Sequence, residues 1–371
     1  MVKNKVIDGH LHIEAFKGEE GPFINCFEKY RDEAGIKSYN ICAIPHLTHN
    51  ADAISSAANN IQCAFYKLAY PNVFAHGCLE HFDTAIPETT KPGFDYVTQY
   101  NELMEIGLDG IKMLEGKPDY HKRIGKNLLH PELMRFYAEA EKNQTHIVFH
   151  VNDPIEFWDP ALATPDRIKI GWYYGDGTFE THQGLYDQAE AILEAFPNIK
   201  ITFAHFYFCG EKPEKLQKLF DKYPNVNVDI TPGTEMYFSF EKNHDFYRDF
   251  FIKNSTRILV GTDGTHPWPA RFPIWCMDRL YRFITTDDVM PTFDDKPLTG
   301  LKLPDEASEN ILFKNFERRV SEAPKPINKV ALKAYIDKYL PTITAENTAA
   351  AIRELAKQLD RASPKFVAEF R

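Results

Sequence analysis

The sequence predicts an α/β fold, a TIM-type (β/α)8 barrel, on three observations. Eight short runs rich in Val, Ile and Phe alternate with longer amphipathic stretches. Strands alternating with helices of roughly 10–15 residues imply right-handed βαβ units and a parallel sheet, and eight such units suggest a closed barrel. No GxGxxG follows the first run, which weakens the open dinucleotide-binding alternative. A chain of 371 residues is ordinary for one α/β barrel.

The predicted strands are Val6–His12, Tyr39–Ile44, Val73–Leu79, Gly110–Leu114, His146–Val151, Ile199–Phe206, Val226–Ile230 and Arg257–Thr262. The predicted helices that follow them are Phe23–Ala34, Ala51–Lys67, Phe94–Ile106, His130–Lys142, His182–Ala195, Pro213–Lys222, Glu241–Lys253 and Trp268–Thr285. Pro131 falls in a first helical turn, where its missing N–H costs nothing. Two segments exceed the barrel. Asn152–Thr181, after the fifth strand, carries Trp158, Trp172, Tyr173, Tyr174 and three prolines; long loops in compact domains are either functional lids or surface decoration. Residues 321–371 read as a helical extension to a barrel domain of residues 1–320. The stripes Leu332, Tyr335, Ile336, Tyr339 and Ala350, Ile352, Leu355, Leu359 suit packing on the barrel or on a partner subunit.

Composition bounds the function. With 43% hydrophobic residues, 26% charged residues and a net charge of −10, the chain is an ordinary globular protein without a nucleic-acid-binding surface. No run approaches the roughly 18 apolar residues of a membrane helix, and no signal-peptide core opens the sequence. The six cysteines are scattered with no CxxC pair, as expected of reduced thiols in the cytoplasm. Aromatic residues make up 13%, which suits an apolar-walled pocket or a homo-oligomer (dimer) interface.

Chemistry concentrates at the predicted strand ends. The first strand closes in Asp8-Gly9-His10-Leu11-His12. Residues i and i+2 of a strand face one side, so His10 and His12 project together into the barrel, where two imidazoles have no apolar use. Unprotonated, they are good ligands for a divalent cation of the zinc type. His150 ends the fifth strand, His205 the sixth and Asp263 the eighth. Each follows an apolar run and precedes a loop, which is the rim where barrel enzymes keep their active sites. Asp8 shares the inward face but lies deeper, as a buried partner of the ligand residues or a structural acid. No GxSxG elbow is present, which disfavours a serine-triad hydrolase.

This ordered set resembles the amidohydrolase superfamily, nearest to its branch that includes aminocarboxymuconate-semialdehyde decarboxylase and related hydrolases. The matching residues are His10, His12, His150, His205 and Asp263, and Glu309–Arg318 looks like that branch's closing helix. The likeness spans roughly residues 5–320. It implies a single metal ion, zinc rather than manganese and one ion rather than two, held by His10, His12, His150 and Asp263, with His205 beside it as acid or base. In two-metal members a carboxylated lysine bridges the ions and the sixth-strand histidine joins as a ligand; Lys112, on the fourth strand, and His205 match those positions, the alternative for Lys112 being a lysine paired with a substrate carboxylate or a nearby acid.

The resemblance further implies a metal-dependent hydrolase that acts with water on a small amide, lactone or ester. Non-oxidative decarboxylation of a small aromatic or unsaturated carboxylic acid is the second reading. Asp263 would take the water's proton and His205 would polarise substrate or water. Candidates for substrate contact, as against ordinary loop residues, are His46, His49, His81, Asp83, Glu115, Tyr120, His121, Arg123, Trp172, His266 and Trp268, of which Arg123 could grip a carboxylate through two hydrogen bonds.

Overall fold

In the computed structural model, residues 3–13, 27–45, 55–81, 95–266, 271–292, 295–343 and 345–359 are described. Eight parallel strands follow one another around a barrel: β1 Ile7–Ile13, β2 Ser38–Ala43, β3 Phe74–Gly77, β4 Gly110–Gly116, β5 His146–Val151, β6 Lys200–Phe203, β7 Val226–Asp229 and β8 Ile258–Leu259. A two-residue strand, β9 (Thr265–His266), continues from the β8 loop and pairs with the end of β1, His12 opposite Thr265. The seam between first and last strands closes through main-chain bonds. The N–H groups of Gly9, Asp263 and His12 donate to the carbonyls of Val260 (3.0 Å), His10 (2.9 Å) and Gly264 (2.8 Å). All eight predicted strands are found. β6 stops at Phe203, just before the left-handed turn that begins at His205, and β8 is only two residues long, ending four residues before Asp263.

The helices of the outer layer are α1 Glu28–Ala34, α2 Ser56–Ala69, α3 Tyr96–Ile106, α4 Pro118–Ile124, α5 Pro131–Lys142, α6 Pro165–Lys169, α7 His182–Ala195, α8 Pro213–Lys222, α9 Thr234–Lys242, α10 His244–Lys253 and α11 Arg271–Thr285. Their starts follow local chemistry. The side chains of Ser55, Asp95 and Thr181 accept from the N–H groups of Ala58, Thr98 and Gly184, satisfying donors that the first helical turn leaves open. Pro131 occupies the first position of α5. The expected helix over 241–253 is two helices, broken at Asn243. The short helix α4 and the hairpin of β10 (Val289–Pro291) and β11 (Pro297–Thr299) were not expected.

After the barrel come α12 (Asp305–Glu309), a π-helical turn (Asn310–Lys314) and α13 (Asn315–Arg319), the segment expected as the closing helix. Two helices follow, α14 (Lys329–Tyr339) and α15 (Glu346–Gln358). The predicted stripe of Leu332, Tyr335, Ile336 and Tyr339 is buried. It lies against α2 and α3, where Asn60 Nδ2 donates to Tyr335 Oη (3.0 Å) and Tyr339 Oη donates to Glu102 (2.8 Å). Among the described residues no helix is long and apolar enough to cross a membrane.

The barrel interior is polar at mid-height. Asn40, His76, His146 and Thr202 form a fully buried chain: His76 Nδ1 lies 2.8 Å from Asn40 Oδ1, His76 Nε2 lies 2.8 Å from His146 Nδ1, and His146 Nε2 lies 2.7 Å from Thr202 Oγ1. Each ring nitrogen has a partner, which is what makes imidazoles tolerable in a core. Burial holds His146 near pKa 3, and His76 is lowered by burial and by His146.

Candidate metal centre

His10 and His12 project from β1 into the barrel mouth, as the strand alternation requires. His10 Nδ1 lies 2.9 Å from Asp229 Oδ2 at the end of β7 and 3.1 Å from Thr231 Oγ1. Burial first, and Lys112 second, lower the His10 pKa to about 3. Burial alone would raise Asp229, but the neighbouring His10 more than offsets it and holds the acid below the carboxylate range. Nδ1 of a neutral His10 therefore carries the proton and donates it to Asp229, leaving the only lone pair on Nε2. His12 Nδ1 faces the carbonyl of Cys42 at 3.2 Å, an acceptor only, so its lone pair also sits on Nε2.

Both lone pairs point to one spot. The two Nε2 atoms are 3.1 Å apart, and Asp263 Oδ1 lies 3.1 Å from His12 Nε2 and 3.8 Å from His10 Nε2. Among the described residues these are the group of histidine, cysteine or acidic side chains whose donor atoms converge, all within 4.8 Å. Ligands roughly 2.0–2.1 Å from a tetrahedral ion stand about 3.3 Å apart, so the spacing fits a cation of the zinc type. Burial would raise Asp263, but its place beside His12, His205 and His10 holds it below the usual range.

The local backbone is bent to present these groups. Asp263 adopts φ +55°, a left-handed conformation that is uncommon outside glycine, asparagine and aspartate. Gly261 passes so close to β1 that a Cβ would stand 2.5 Å from His10 Cβ. His205, Phe206, Tyr207 and Phe208 all have positive φ, a left-handed turn of four non-glycine residues, with a conformational cost on the order of 1–2 kcal/mol each. The turn is held by the His205 N–H donating to Asp229 Oδ1 (2.9 Å) and by the burial of Phe206 and Tyr207. His205 Nδ1 lies 3.2 Å from the carbonyl of Thr231, so its Nε2 is left as the acceptor.

His150 departs from the expected ligand set. Its Nε2 faces Asp153 Oδ1 at 3.2 Å, and its ring packs edge-on to His205, centroids 4.8 Å apart. The reason is a buried pairing the sequence reading missed. Burial would raise Asp153, but Lys117, 2.7 Å from its Oδ2, holds it ionised, and the carboxylate then takes the His150 Nε2–H. Lys112 is fully buried, with Nζ 2.8 Å from His10 Nε2.

Above these groups lies a cavity of about 590 Å³, within the range of small-molecule sites. Its floor is His12, His150, His205 and Asp263; its walls include Phe157, Trp172, Phe208 and Phe272, with Lys117, Tyr120, Asp153 and Glu235 as further polar lining. Trp172 is half exposed and stacks on Phe157, centroids 5.8 Å apart, so part of the loop after β5 does wall the cavity. A larger groove, about 980 Å³, lies between α8 and α10 and holds none of the strand-end residues.

Arg123 is a correction. It sits exposed on α4 over the ring of Tyr120 and does not line the cavity, because α4 turns its basic last turn to solvent. His81 and Glu115 pair with each other at 2.7 Å, buried, and His121 faces Gln188 at 3.2 Å, so these three are committed within the fold. The His266 backbone pairs with Ile13 in β9. His46, His49, Asp83 and Trp268 lie outside the described residues. Asp8 is the expected structural acid, accepting from Tyr30 Oη (2.7 Å) and Thr262 Oγ1 (2.6 Å). Asp229 was missed, although it ends an apolar run in the same way as Asp263.

Among solved structures the chain is similar to an uncharacterised TIM-barrel protein from Bordetella bronchiseptica, 15% identical with a TM-score of 0.53, over 85% of this chain and 98% of that one. It is also similar to a candidate amidohydrolase from Staphylococcus aureus, 14% identical with a TM-score of 0.52, over 85% of this chain and 99% of that one. The fold is a TIM barrel. No protein-family model and no curated protein matches the sequence. In this TIM barrel the candidate centre lies at the C-terminal ends of the strands, the face on which barrel enzymes carry their chemistry.

Proposed function

We propose that this TIM barrel is a metal-dependent hydrolase of the amidohydrolase type, acting on a small amide, lactone or ester. The observation that carries this reading is the meeting of three electron-pair donors, His10 Nε2, His12 Nε2 and Asp263 Oδ1, at the floor of the cavity. These three would hold one zinc or manganese ion. A divalent ion there supplies acidified water and polarisation of a carbonyl oxygen. The chain's own residues supply the rest. Asp263, whose side chain is about one-third open to the cavity, accepts the proton released by water and returns it to the leaving group. His205, whose Nδ1 faces the Thr231 carbonyl, lines the cavity and orients substrate or water. Asp229 fixes the His10 tautomer, and the aromatic walls exclude water from the substrate's apolar parts.

Decarboxylation of a planar carboxylic acid is the second reading, favoured by the Phe157 and Trp172 wall. Against it, Lys117, the cationic residue among those lining the cavity, is already paired with Asp153 at 2.7 Å and Asp119 at 3.1 Å. The same reading takes the enzyme as cytoplasmic and dimeric. Buried thiols at Cys42, Cys78, Cys209 and Cys276 support the first, and light scattering tests the second. The function is tested by assaying zinc-loaded protein on a panel of lactones, esters, amides and hydroxybenzoates, with products followed by NMR. Ring opening or ester and amide cleavage is expected; carbon dioxide release with no hydrolysis would replace the first reading with the second.

A further inference from the structure

Lys112 occupies a place that the hydrolytic reading does not use. It is the third residue of β4, and its side chain runs inward to end 2.8 Å from His10 Nε2. No part of it reaches solvent. His10 has one proton and one lone pair on its ring nitrogens. The proton is committed to Asp229 and Thr231 on the Nδ1 side, so the lone pair on Nε2 is the atom's entire capacity as an acceptor. Lys112 carries donors only and uses that pair. A divalent ion held by His10, His12 and Asp263 requires the same pair.

We propose that Lys112 is an internal competitor of the cation: its ammonium holds the His10 lone pair and must leave it when a divalent ion binds, so Lys112 sets metal affinity and is not itself a ligand. The inference rests on the metal-binding reading of this site. A further observation supports it. Asp229 and Asp263 both lie beside His10, so the ammonium stands near two carboxylates whose charges it balances, which gives a lysine a reason to be buried there. Two like-signed groups cannot share one lone pair, and a cation brought to within a few ångströms of an ammonium meets repulsion that the barrel interior screens poorly.

The test is metal affinity rather than turnover. Metal-free wild type, Lys112→Met and Lys112→Gln are titrated with zinc, and separately with manganese, against a chromophoric chelator at neutral pH. Far-UV circular dichroism reports the fold. The expected result is one ion per chain, bound about tenfold or more tighter by the Met variant, with the Gln variant shifted in the same direction. Unchanged or weaker binding in a natively folded variant overturns the proposal. Should neither variant fold, the wild type decides alone. Its affinity and stoichiometry are expected to be the same with and without saturating bicarbonate, whereas a second ion taken up only with bicarbonate would make Lys112 a carboxylated ligand and overturn the proposal. Zinc bound by the variants but not by the wild type would support the competition while removing the metal from the native function. No binding by any of the three would end both readings.

Discussion

His10 Nδ1 meets Asp229 Oδ2 at 2.9 Å, joining the first strand of the barrel to the seventh through one hydrogen bond. The bond decides which nitrogen of His10 faces His12 and Asp263 as an acceptor. Asp229→Asn keeps the shape but allows the amide to donate to Nδ1, so the proton can move to Nε2. Zinc affinity is expected to fall by about 10–100-fold with an unchanged far-UV spectrum. Chelator competition measures it, and wild-type affinity in this variant would show that the tautomer is set elsewhere.

His12→Ala and Asp263→Ala each remove one of three converging donors. Each variant, purified without chelator, is expected to carry less than about a tenth of an ion per chain by elemental analysis, and to lose turnover while keeping native circular dichroism. A fully metallated Asp263→Ala protein would take that carboxylate out of the centre.

Lys117 and Asp153 form a pair with side chains only 14% and 7% exposed. Lys117→Met leaves a carboxylate in the cavity wall without its cation, so stability should drop by roughly 3 kcal/mol, read from the urea midpoint. Lys117→Met combined with Asp153→Leu should recover most of that loss. A double variant as unstable as the single one would place the energy in packing and not in charge.

Acid should weaken the metal-free fold well above the carboxylate range. His10 and His146 sit near pKa 3 and His150 near 4, all lowered first by burial, and His76 is also lowered. The unfolded chain takes up these protons near pH 6.5, whereas the native one refuses them until far lower pH. Their contribution is complete above 6.5 and is lost as pH falls. Asp8, raised by burial to about 6, and Glu80, raised to about 8, work in the opposite sense, because the native state holds their protons. His182, near 4, and His121 are lowered too, and Glu28 and Glu235 are raised, so six lowered histidines stand against four raised acids, and the expected loss is roughly 2–3 kcal/mol per pH unit just below pH 6. Urea midpoints at pH 7 and 5.5 check the sign; a higher midpoint at 5.5 would contradict it.

The barrel and most of its rim were legible because alternation and helix spacing are local properties. His10 and His12 needed only the two-residue repeat of one strand, and Asp263 only its place after an apolar run. His150 shows where such reading stops. Which way its ring turns depends on Asp153, whose charge depends on Lys117, 36 positions away in the chain. Asp229 carried a visible signal, an acid closing Val226–Val228, yet its partner is 219 positions distant. Arg123 failed for a simpler reason: the helix that turns it outward, α4, fell within a stretch read as loop. The left-handed turn at His205 has no glycine to announce it, since tertiary packing and the Asp229 bond impose it.

The seam has a mechanical implication. His10 and His12 belong to the first strand and Asp263 follows the last, so the converging donors straddle the line along which the sheet closes on itself. An ion seated there would act as a clasp between chain segments about 250 positions apart, the kind of distant crosslink whose closure entropy is largest. Stripping it would leave the joint to its main-chain bonds alone, so the metal-free barrel would stay closed but open more readily.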